Sequence, residues 1–379
     1  MNYLDDLFAK LVGKKIFFYG ADATGIRLLR EAEKRNVNVQ YVVDRDTMKQ
    51  GLTILGKKIL SPYELMNENY DEACIVVTAP VGKESIVNTL QGMGFSIEKN
   101  IILDYVEKCN DFSIYCNDQL LGISRGKNTI TEMRESIHSE KVMLVLGGST
   151  TDPYYNGIKS WPYFLQEMFD DNSINVRVLN GGVIGYTLAQ ELLLLLRDGL
   201  SEAPDYLIDF SGYNDFAPAL NIDNQGKYNF ISRNTYINSE ELIKEYVKNG
   251  KTFSSMYYGE KTADNIGLFL RNQSYVKALC DYYKIQYWSF LQPNIFSIER
   301  IPGSMASRLW DEPISYPIKK AWEKFYSGYM EQKEAFPYIT DFTGVISDVD
   351  DVFEDYVHVT EKGNKLLAEK IFEFLSGRL

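Results

Sequence analysis

Short apolar runs alternate with longer helical patterns over most of this chain, and this alternation constrains the fold more than any other feature. The first series has apolar runs at residues 15–19, 37–43, 72–78 and 101–103, and a second series begins at Lys141 with runs at 142–146, 175–179, 206–210 and 285–291. Strands separated by helices form parallel sheets with right-handed crossovers. The sequence therefore predicts two α/β units, at residues 1–105 and 141–379, joined by a polar connector at 106–140.

The composition excludes several classes of function. A net charge of −12 without a dense Lys/Arg cluster argues against a nucleic-acid partner. The longest leucine run, residues 192–196, is too short to cross a bilayer, and the first residues lack the basic and apolar regions of a signal peptide. The four cysteines lack metal-ligand spacing, and the chain has only two histidines. We therefore expect a cytoplasmic protein without a metal, a membrane or a nucleic-acid partner.

A glycine-rich turn follows the first apolar run. Gly20-Ala-Asp22-Ala-Thr-Gly25 has the spacing of a dinucleotide-binding turn, and Asp44 lies where an acid would bind a ribose. Asp22, however, places bulk and negative charge where a pyrophosphate would approach. A Rossmann-like domain without a cofactor is favoured over nucleotide binding. We therefore predict no cofactor.

The first unit resembles the small Rossmann-like domains at the front of sugar-modifying and polysaccharide-biosynthesis enzymes. The residues that carry this resemblance are Val42-Val-Asp44, Ser61-Pro-Tyr-Glu-Leu65 and Thr78-Ala-Pro80. In those relatives the domain holds a nucleotide-sugar or positions a partner.

Serine, histidine and aspartate occur in the second unit in settings that favour acyl chemistry. His358 follows Asp355 by three residues, just before a predicted helix, and Ser149 follows the apolar run at residues 142–146. A neutral imidazole can take the proton of a serine, while a carboxylate holds its other nitrogen. His138, in the connector, is expected to be solvated. The predicted catalytic residues are therefore Ser149, Asp355 and His358.

The second unit resembles the SGNH (GDSL-type) hydrolase family in four separated blocks. In chain order these are Leu146-Gly-Gly-Ser149-Thr-Thr151, Leu179-Asn-Gly-Gly182-Val-Ile-Gly-Tyr-Thr187, Phe210-Ser-Gly212-Tyr-Asn214-Asp215 and Asp355-Tyr-Val-His358-Val-Thr-Glu-Lys-Gly363-Asn364. The resemblance implies a three-layer α/β/α fold around a parallel, flavodoxin-like sheet. It also implies an oxyanion hole built from the N–H groups of Ser149 and Gly182 and the side chain of Asn214. The family's G-D-S reads Gly147-Gly148-Ser149 here, so the acidic neighbour of the serine is absent.

Other interpretations of these motifs remain open at this point. The turn at Ser149 has some likeness to a phosphate-binding loop, but no lysine follows it as in a P-loop. Asn214 and Asp215 are also common turn residues. The polar, tyrosine-rich stretch at residues 216–261 is expected to shape a substrate cleft.

The sequence thus favours a serine esterase that removes a small acyl group, with acetyl favoured, from a carbohydrate or sugar-linked substrate. The acyl and carbohydrate parts of this prediction come only from the resemblance of the two units to sugar-processing relatives. A sugar O-acyltransferase with the same three residues, and a non-catalytic scaffold, are the alternatives. The sequence does not determine the oligomeric state.

Overall fold

Two open sheets, one from each predicted unit, organise the protein. The structure is a computed structural model that describes residues 3–79, 82–105, 116–118, 120–126, 129–133, 141–216 and 265–379. The strands of the first sheet are β1 (Lys15–Tyr19), β2 (Val39–Val43), β3 (Thr53–Ile54), β4 (Lys57–Leu60), β5 (Ala73–Val77) and β6 (Ile101–Ile102). They lie in the order β3-β4-β2-β1-β5-β6, and all neighbours are parallel except the β3–β4 pair.

The second sheet is parallel apart from one edge. The strands that follow the first unit are β7 (Cys116–Asp118), β8 (Gly122–Ser124), β9 (Thr131–Glu132), β10 (Lys141–Gly147), β11 (Val176–Asn180), β12 (Tyr206–Ser211), β13 (Gln286–Leu291) and β14 (Ile339–Asp341). The sheet order is β14-β13-β12-β10-β11-β9. Its parallel strands, β10 to β14, therefore follow the flavodoxin-like order 2-1-3-4-5. The predicted α/β fold class is confirmed.

Helices connect the strands in both units. They are α1 (Tyr3–Lys10), α2 (Ala23–Lys34), α3 (Lys83–Gly92), α4 (Trp161–Asp171), α5 (Leu188–Arg197), α6 (Tyr213–Phe216), α7 (Asn265–Tyr283), α8 (Met305–Asp311), α9 (Tyr316–Gln332) and α10 (Glu361–Leu375). Helix α5 begins with a capping box between Thr187 and Gln190, and the Thr360 hydroxyl caps α10 by accepting from the Gly363 N–H. The starts of these two helices are thus fixed by their own capping residues.

The predicted connector contributes to the second sheet. Strand β9 pairs antiparallel with β11, through Thr131 with Asn180 and Glu132 with Leu179. Strands β7 and β8 form a hairpin of their own. At least part of the segment at residues 106–140 is therefore structured by the unit that follows it.

The two units pack closely against each other. A single cluster of buried apolar residues includes Ile26 and Leu29 of α2 as well as the core of the second sheet. At the rim, the Arg308 guanidinium contacts the Glu33 carboxylate at 2.8 and 2.9 Å. The Gly56 N–H donates to the Glu312 carboxylate at 3.1 Å. Helix α2 therefore lies between the first sheet and the second unit.

The stretch expected to shape a cleft falls mostly on residues 217–264, which lie outside the described residues, as does His138. Phe216, at its start, is buried against the rings of Trp322 and Phe325. That aromatic side chain belongs to the core.

Candidate active site

The predicted site residues of three blocks follow strands that end at the same edge of the second sheet. Strand β10 ends at Gly147, which pairs with Phe210 of β12, and β11 ends at Asn180. Because the carboxyl ends of parallel strands meet at one edge, Ser149, Gly182 and Asn214 lie on loops above it. The loop before α10 brings the fourth block to the same place.

Ser149, His358 and Asp355 form a continuous hydrogen-bonded chain. The Ser149 Oγ lies 2.7 Å from His358 Nε2, and His358 Nδ1 lies 2.7 Å from Asp355 Oδ2. Both distances are within hydrogen-bond range. The structure therefore brings the three predicted catalytic side chains together in the order that proton transfer from a serine requires.

Asp355 is held as a buried carboxylate. Its side chain is 0% exposed, and its Oδ1 accepts the N–H groups of Val357 at 3.0 Å and His358 at 2.9 Å. Burial alone would raise the pKa of Asp355, but the contact with His358 and the charge of Arg27 outweigh it and lower the pKa to about 2. Asp355 is therefore ionised at any pH at which the protein would work.

Gly148, next to the serine, lies close to the third block. A Cβ at Gly148 would lie 2.5 Å from the Asn214 Nδ2 and 3.3 Å from the Tyr186 carbonyl oxygen. Asn214 occupies the space that a side chain at position 148 would need. A side chain at position 148 would therefore require Asn214 to shift.

Asn214 lies beside the nucleophile turn, and its side-chain amide donates a hydrogen bond within the protein. The Nδ2 donates one hydrogen to the Tyr186 carbonyl oxygen at 2.8 Å. An asparagine amide carries two N–H groups, and the described residues provide an acceptor for only one of them. The oxyanion role that the resemblance implies for Asn214 stays a prediction.

Gly182 is at the site, but its N–H is already used. It donates to the Asn180 Oδ1 at 2.7 Å, and a Cβ on Gly182 would lie 2.7 Å from the Thr151 side chain. The glycine is therefore needed for packing against the nucleophile turn. Its N–H does not point to a free oxyanion position, which is a correction to the role expected for it.

Gly185, three residues later, was not singled out in the sequence, and its backbone N–H differs from those of its neighbours. The N–H groups of Val183, Ile184 and Tyr186 donate to Gly147, Asp152 and Val183, respectively. For Gly185 the described residues show no acceptor, and its φ is +73°. The positive φ was not visible in the sequence, where two other glycines precede it.

Further residues that the sequence did not single out hold the site together. The Asn180 Nδ2 donates to the Thr151 carbonyl oxygen at 2.7 Å, and the Asp152 carboxylate pairs with Arg125 at 3.3 Å. Tyr155 stacks on the His358 ring with centroids 4.3 Å apart and an interplanar angle of 24°. These contacts join the nucleophile turn, the second block and the histidine loop.

A small depression opens at the serine. Its lining comprises Ser149, Thr150, Asp152, Tyr155, Ile158, Ser160, His358, Val359 and Asn364. Most of these side chains are polar or aromatic. In its described part, the site thus offers little apolar surface for a long alkyl chain.

The glycine-rich turn of the first unit is closed by its own charged side chains. The Ala21 N–H donates to the Asp44 carboxylate at 2.9 Å. Lys49 pairs with Asp22 and lies 3.5 Å from Asp44. The acid expected at a ribose therefore binds the turn itself, and a lysine neutralises Asp22.

The described residues contain no group of three or more His, Cys, Asp or Glu side chains able to share a metal ion. None of the described helices has the length and apolar character needed to cross a bilayer.

Comparisons with known proteins match each unit separately. The family model described as GDSL-like Lipase/Acylhydrolase matches residues 143–371, more than half of the chain, and one described as C2185-like, N-terminal, matches residues 12–102. No curated protein matches the chain.

Several solved structures are similar to this chain over the second unit. A putative lipolytic protein of the G-D-S-L family from Desulfitobacterium hafniense DCB-2 is 15% identical, covering 62% of this chain and 99% of its own, with a TM-score of 0.37. The acetylxylan esterase Axe2 from Geobacillus stearothermophilus is 14% identical, covering 62% and 94%, with a TM-score of 0.37. A putative acylhydrolase from Bacteroides fragilis NCTC 9343 is 16% identical, covering 63% and 88%, with a TM-score of 0.36.

Proposed function

This chain belongs to the GDSL-like lipase/acylhydrolase family, and we propose that it is a serine esterase that removes a small acyl group from a carbohydrate or sugar-linked substrate. The resemblance to SGNH hydrolases expected from the sequence is confirmed at the level of the family. The observation that carries the proposal is the hydrogen-bonded chain from Ser149 through His358 to Asp355.

In the proposed acylation step, Ser149 Oγ attacks the ester carbonyl while His358 Nε2 takes its proton. Asp355, ionised and fully buried, accepts from His358 Nδ1 and stabilises the imidazolium that forms. The imidazolium then gives its proton to the leaving alkoxide, and the C–O bond of the ester breaks. A covalent acyl-serine remains.

The negative charge of the tetrahedral intermediate needs preorganised donors. We assign the second amide hydrogen of Asn214 and the N–H of Ser149, and we replace Gly182 with Gly185. The support for Gly185 is that the neighbouring N–H groups of its loop are donated within the protein. The Tyr186 carbonyl, next to Gly185, is also the group that anchors Asn214.

In the second step His358 activates the molecule that accepts the acyl group. Water gives an esterase, and a sugar hydroxyl gives an O-acyltransferase with the same residues. We take water as the acceptor, and we favour an acetyl-sized group because the depression at Ser149 is lined largely by polar and aromatic side chains. A long acyl chain would need a larger apolar surface to leave water.

The test is hydrolysis of p-nitrophenyl acetate, butyrate and octanoate by the wild type and by Ser149→Ala. We expect turnover to fall with chain length and the variant to lose at least about 10³-fold in kcat, because it lacks the nucleophile. Ser201→Ala is the matched control, since Ser201 is exposed and bonds only to the Asp198 carbonyl among its described contacts. Retained turnover in Ser149→Ala would refute the mechanism.

Labelling with a fluorophosphonate separates an enzyme from a scaffold. Wild-type protein and Ser201→Ala should be modified at one serine, and Ser149→Ala should not. Adding acetylated-sugar donors with free sugar acceptors then distinguishes transfer of the acyl group to water from transfer to a sugar hydroxyl. Acylated acceptor formed faster than free acid would establish the transferase instead.

A further inference from the structure

Arg27 is a charged side chain from the first unit that lies inside the active site of the second. It is on helix α2 and its side chain is 6% exposed. Its Nε lies 3.9 Å from Asp355 Oδ2, the oxygen that also binds His358. A helix that belongs to one unit thus delivers a cation to the carboxylate that the other unit uses.

Tyr155 gives Arg27 a second link to the histidine. The guanidinium carbon lies 5.0 Å from the Tyr155 ring centroid, within the range of a cation–π contact. The same ring stacks on His358, and its hydroxyl lies 3.4 Å from His358 Nδ1. Arg27 therefore faces both members of the Asp355–His358 dyad, one directly and one through an aromatic ring.

The hydrogen bonding of Arg27 is incomplete for a buried guanidinium. Its Nη2 donates to the Thr24 hydroxyl at 3.3 Å, but within the described structure its Nε and Nη1 are buried without a hydrogen-bond partner. Unsatisfied buried donors cost stability. A side chain that served only to join the two units would be better satisfied, as Arg308 is by the Glu33 carboxylate.

We propose that the first unit supplies Arg27 as a positioning residue for the Asp355–His358 dyad and thereby extends activity toward lower pH. This inference rests on the proposed serine mechanism. The cation holds the Asp355 carboxylate and opposes uptake of a second proton by the dyad. The unit at residues 1–105 is thus part of the esterase site rather than an appended binding module.

The sign of the effect follows from charge. A dyad that has taken up a proton carries an extra positive charge, which a nearby guanidinium destabilises, so the dyad stays reactive to lower pH. The distances from Arg27 to Asp355 and from Asp355 to His358 place the two cations less than about 7 Å apart, where the repulsion corresponds to roughly one pH unit. The ionisable groups around the dyad are Arg27, Arg30, Asp152, Tyr155, Glu354 and Asp351.

The experiment compares Arg27→Met, Arg27→Gln and Arg27→Lys with Arg30→Met. Arg30 lies on the same helix, is as deeply buried, and pairs with Asp351 rather than with Asp355. Its replacement removes an inter-unit charge contact whose partner, Asp351, is not a member of the dyad. Each variant is assayed for kcat/KM on p-nitrophenyl acetate and for the rate of fluorophosphonate labelling from pH 4.5 to 9, with the thermal midpoint as a check of folding.

In Arg27→Met and Arg27→Gln we expect the acid limb of both profiles to move up by about one pH unit. The rate at pH 5 then falls about tenfold relative to the plateau, and KM stays within about twofold. Arg27→Lys, which keeps the charge, and Arg30→Met should keep the wild-type limb. If Arg27→Met does not fold, the neutral Gln and charged Lys variants decide the question.

An unchanged limb in the neutral Arg27 variants would overturn the inference and leave the proposed function intact. An equal shift in Arg30→Met would do the same, because it would assign the effect to docking of the units. A wild type that neither hydrolyses esters nor labels at any pH would overturn the proposed function, and this inference with it.

Discussion

Replacing Asn214 by alanine tests the assignment of the oxyanion hole, because the structure predicts two effects of different size. One amide hydrogen of Asn214 is donated to the Tyr186 carbonyl at 2.8 Å, and we assign the other to the oxyanion. Loss of the first bond should lower the free energy of unfolding by about 1 kcal/mol, the usual net value for such a bond. Loss of the second should reduce kcat by about 10²–10³, or about 2.7–4 kcal/mol of transition-state stabilisation.

The two effects are measured separately. Urea unfolding of Asn214→Ala gives the stability change, and steady-state hydrolysis of p-nitrophenyl acetate gives kcat and KM. Because the oxyanion donor acts in the transition state, we expect KM to stay within a few-fold of the wild type. Asn214→Asp is the matched variant, since it keeps the shape, removes the donor and adds a negative charge. We expect its kcat to be below that of Asn214→Ala.

The reasoning would be refuted by a kcat within about tenfold of the wild type in a variant that has lost the expected stability. That result would make Asn214 an anchor for the loop at residues 183–186 and would remove it from the oxyanion hole. A large loss confined to KM would instead place Asn214 at a substrate-binding contact.

Two other substitutions test the surroundings of the serine. In Gly148→Ala, the added Cβ would lie 2.5 Å from the Asn214 Nδ2, so we expect kcat to fall by about the amount found for Asn214→Ala. The double variant should then show little further loss, and additive losses in kcat would contradict this. Burial raises the pKa of Asp215 to about 7, so this carboxyl destabilises the fold increasingly as pH rises from about 4 to 7. Asp215→Asn should therefore gain up to about 4 kcal/mol in unfolding free energy over the wild type between pH 4 and pH 8 in urea titrations; a pH-independent difference would show that Asp215 is already ionised at low pH.

The regular part of the fold was predictable because burial on both faces makes parallel strands continuously apolar. Strand β1 begins and ends at the residues of the first apolar run, 15–19. Strand β14, with only three residues, and helix α8 carry no such pattern and were missed. The two-residue strand β9 forms only because β11 offers it a partner.

The site was predictable in its residue types but less so in its contacts. The order of the motifs along the chain predicted that Ser149, Asp355 and His358 would meet, because each follows or precedes a regular element. Which glycine N–H is free is decided by hydrogen bonds to Asn180 and Asp152, and spacing along the chain does not contain that information. No local sequence pattern predicts a role for Arg27, since its contact with Asp355 forms only when the two units pack against each other.

The edges of the two sheets bear on whether strands of different molecules can pair. An open sheet presents unpaired N–H and C=O groups at each side, and a long exposed edge can recruit a strand from another molecule. In the described part of the chain, the edge strands of the two sheets are β3, β6, β9 and β14, and each has only two or three residues. Two of them, β3 and β9, also run antiparallel to their neighbours. Among the described residues, the apolar central strands are therefore bordered by edge strands too short to seed growth of the sheet from one molecule into the next.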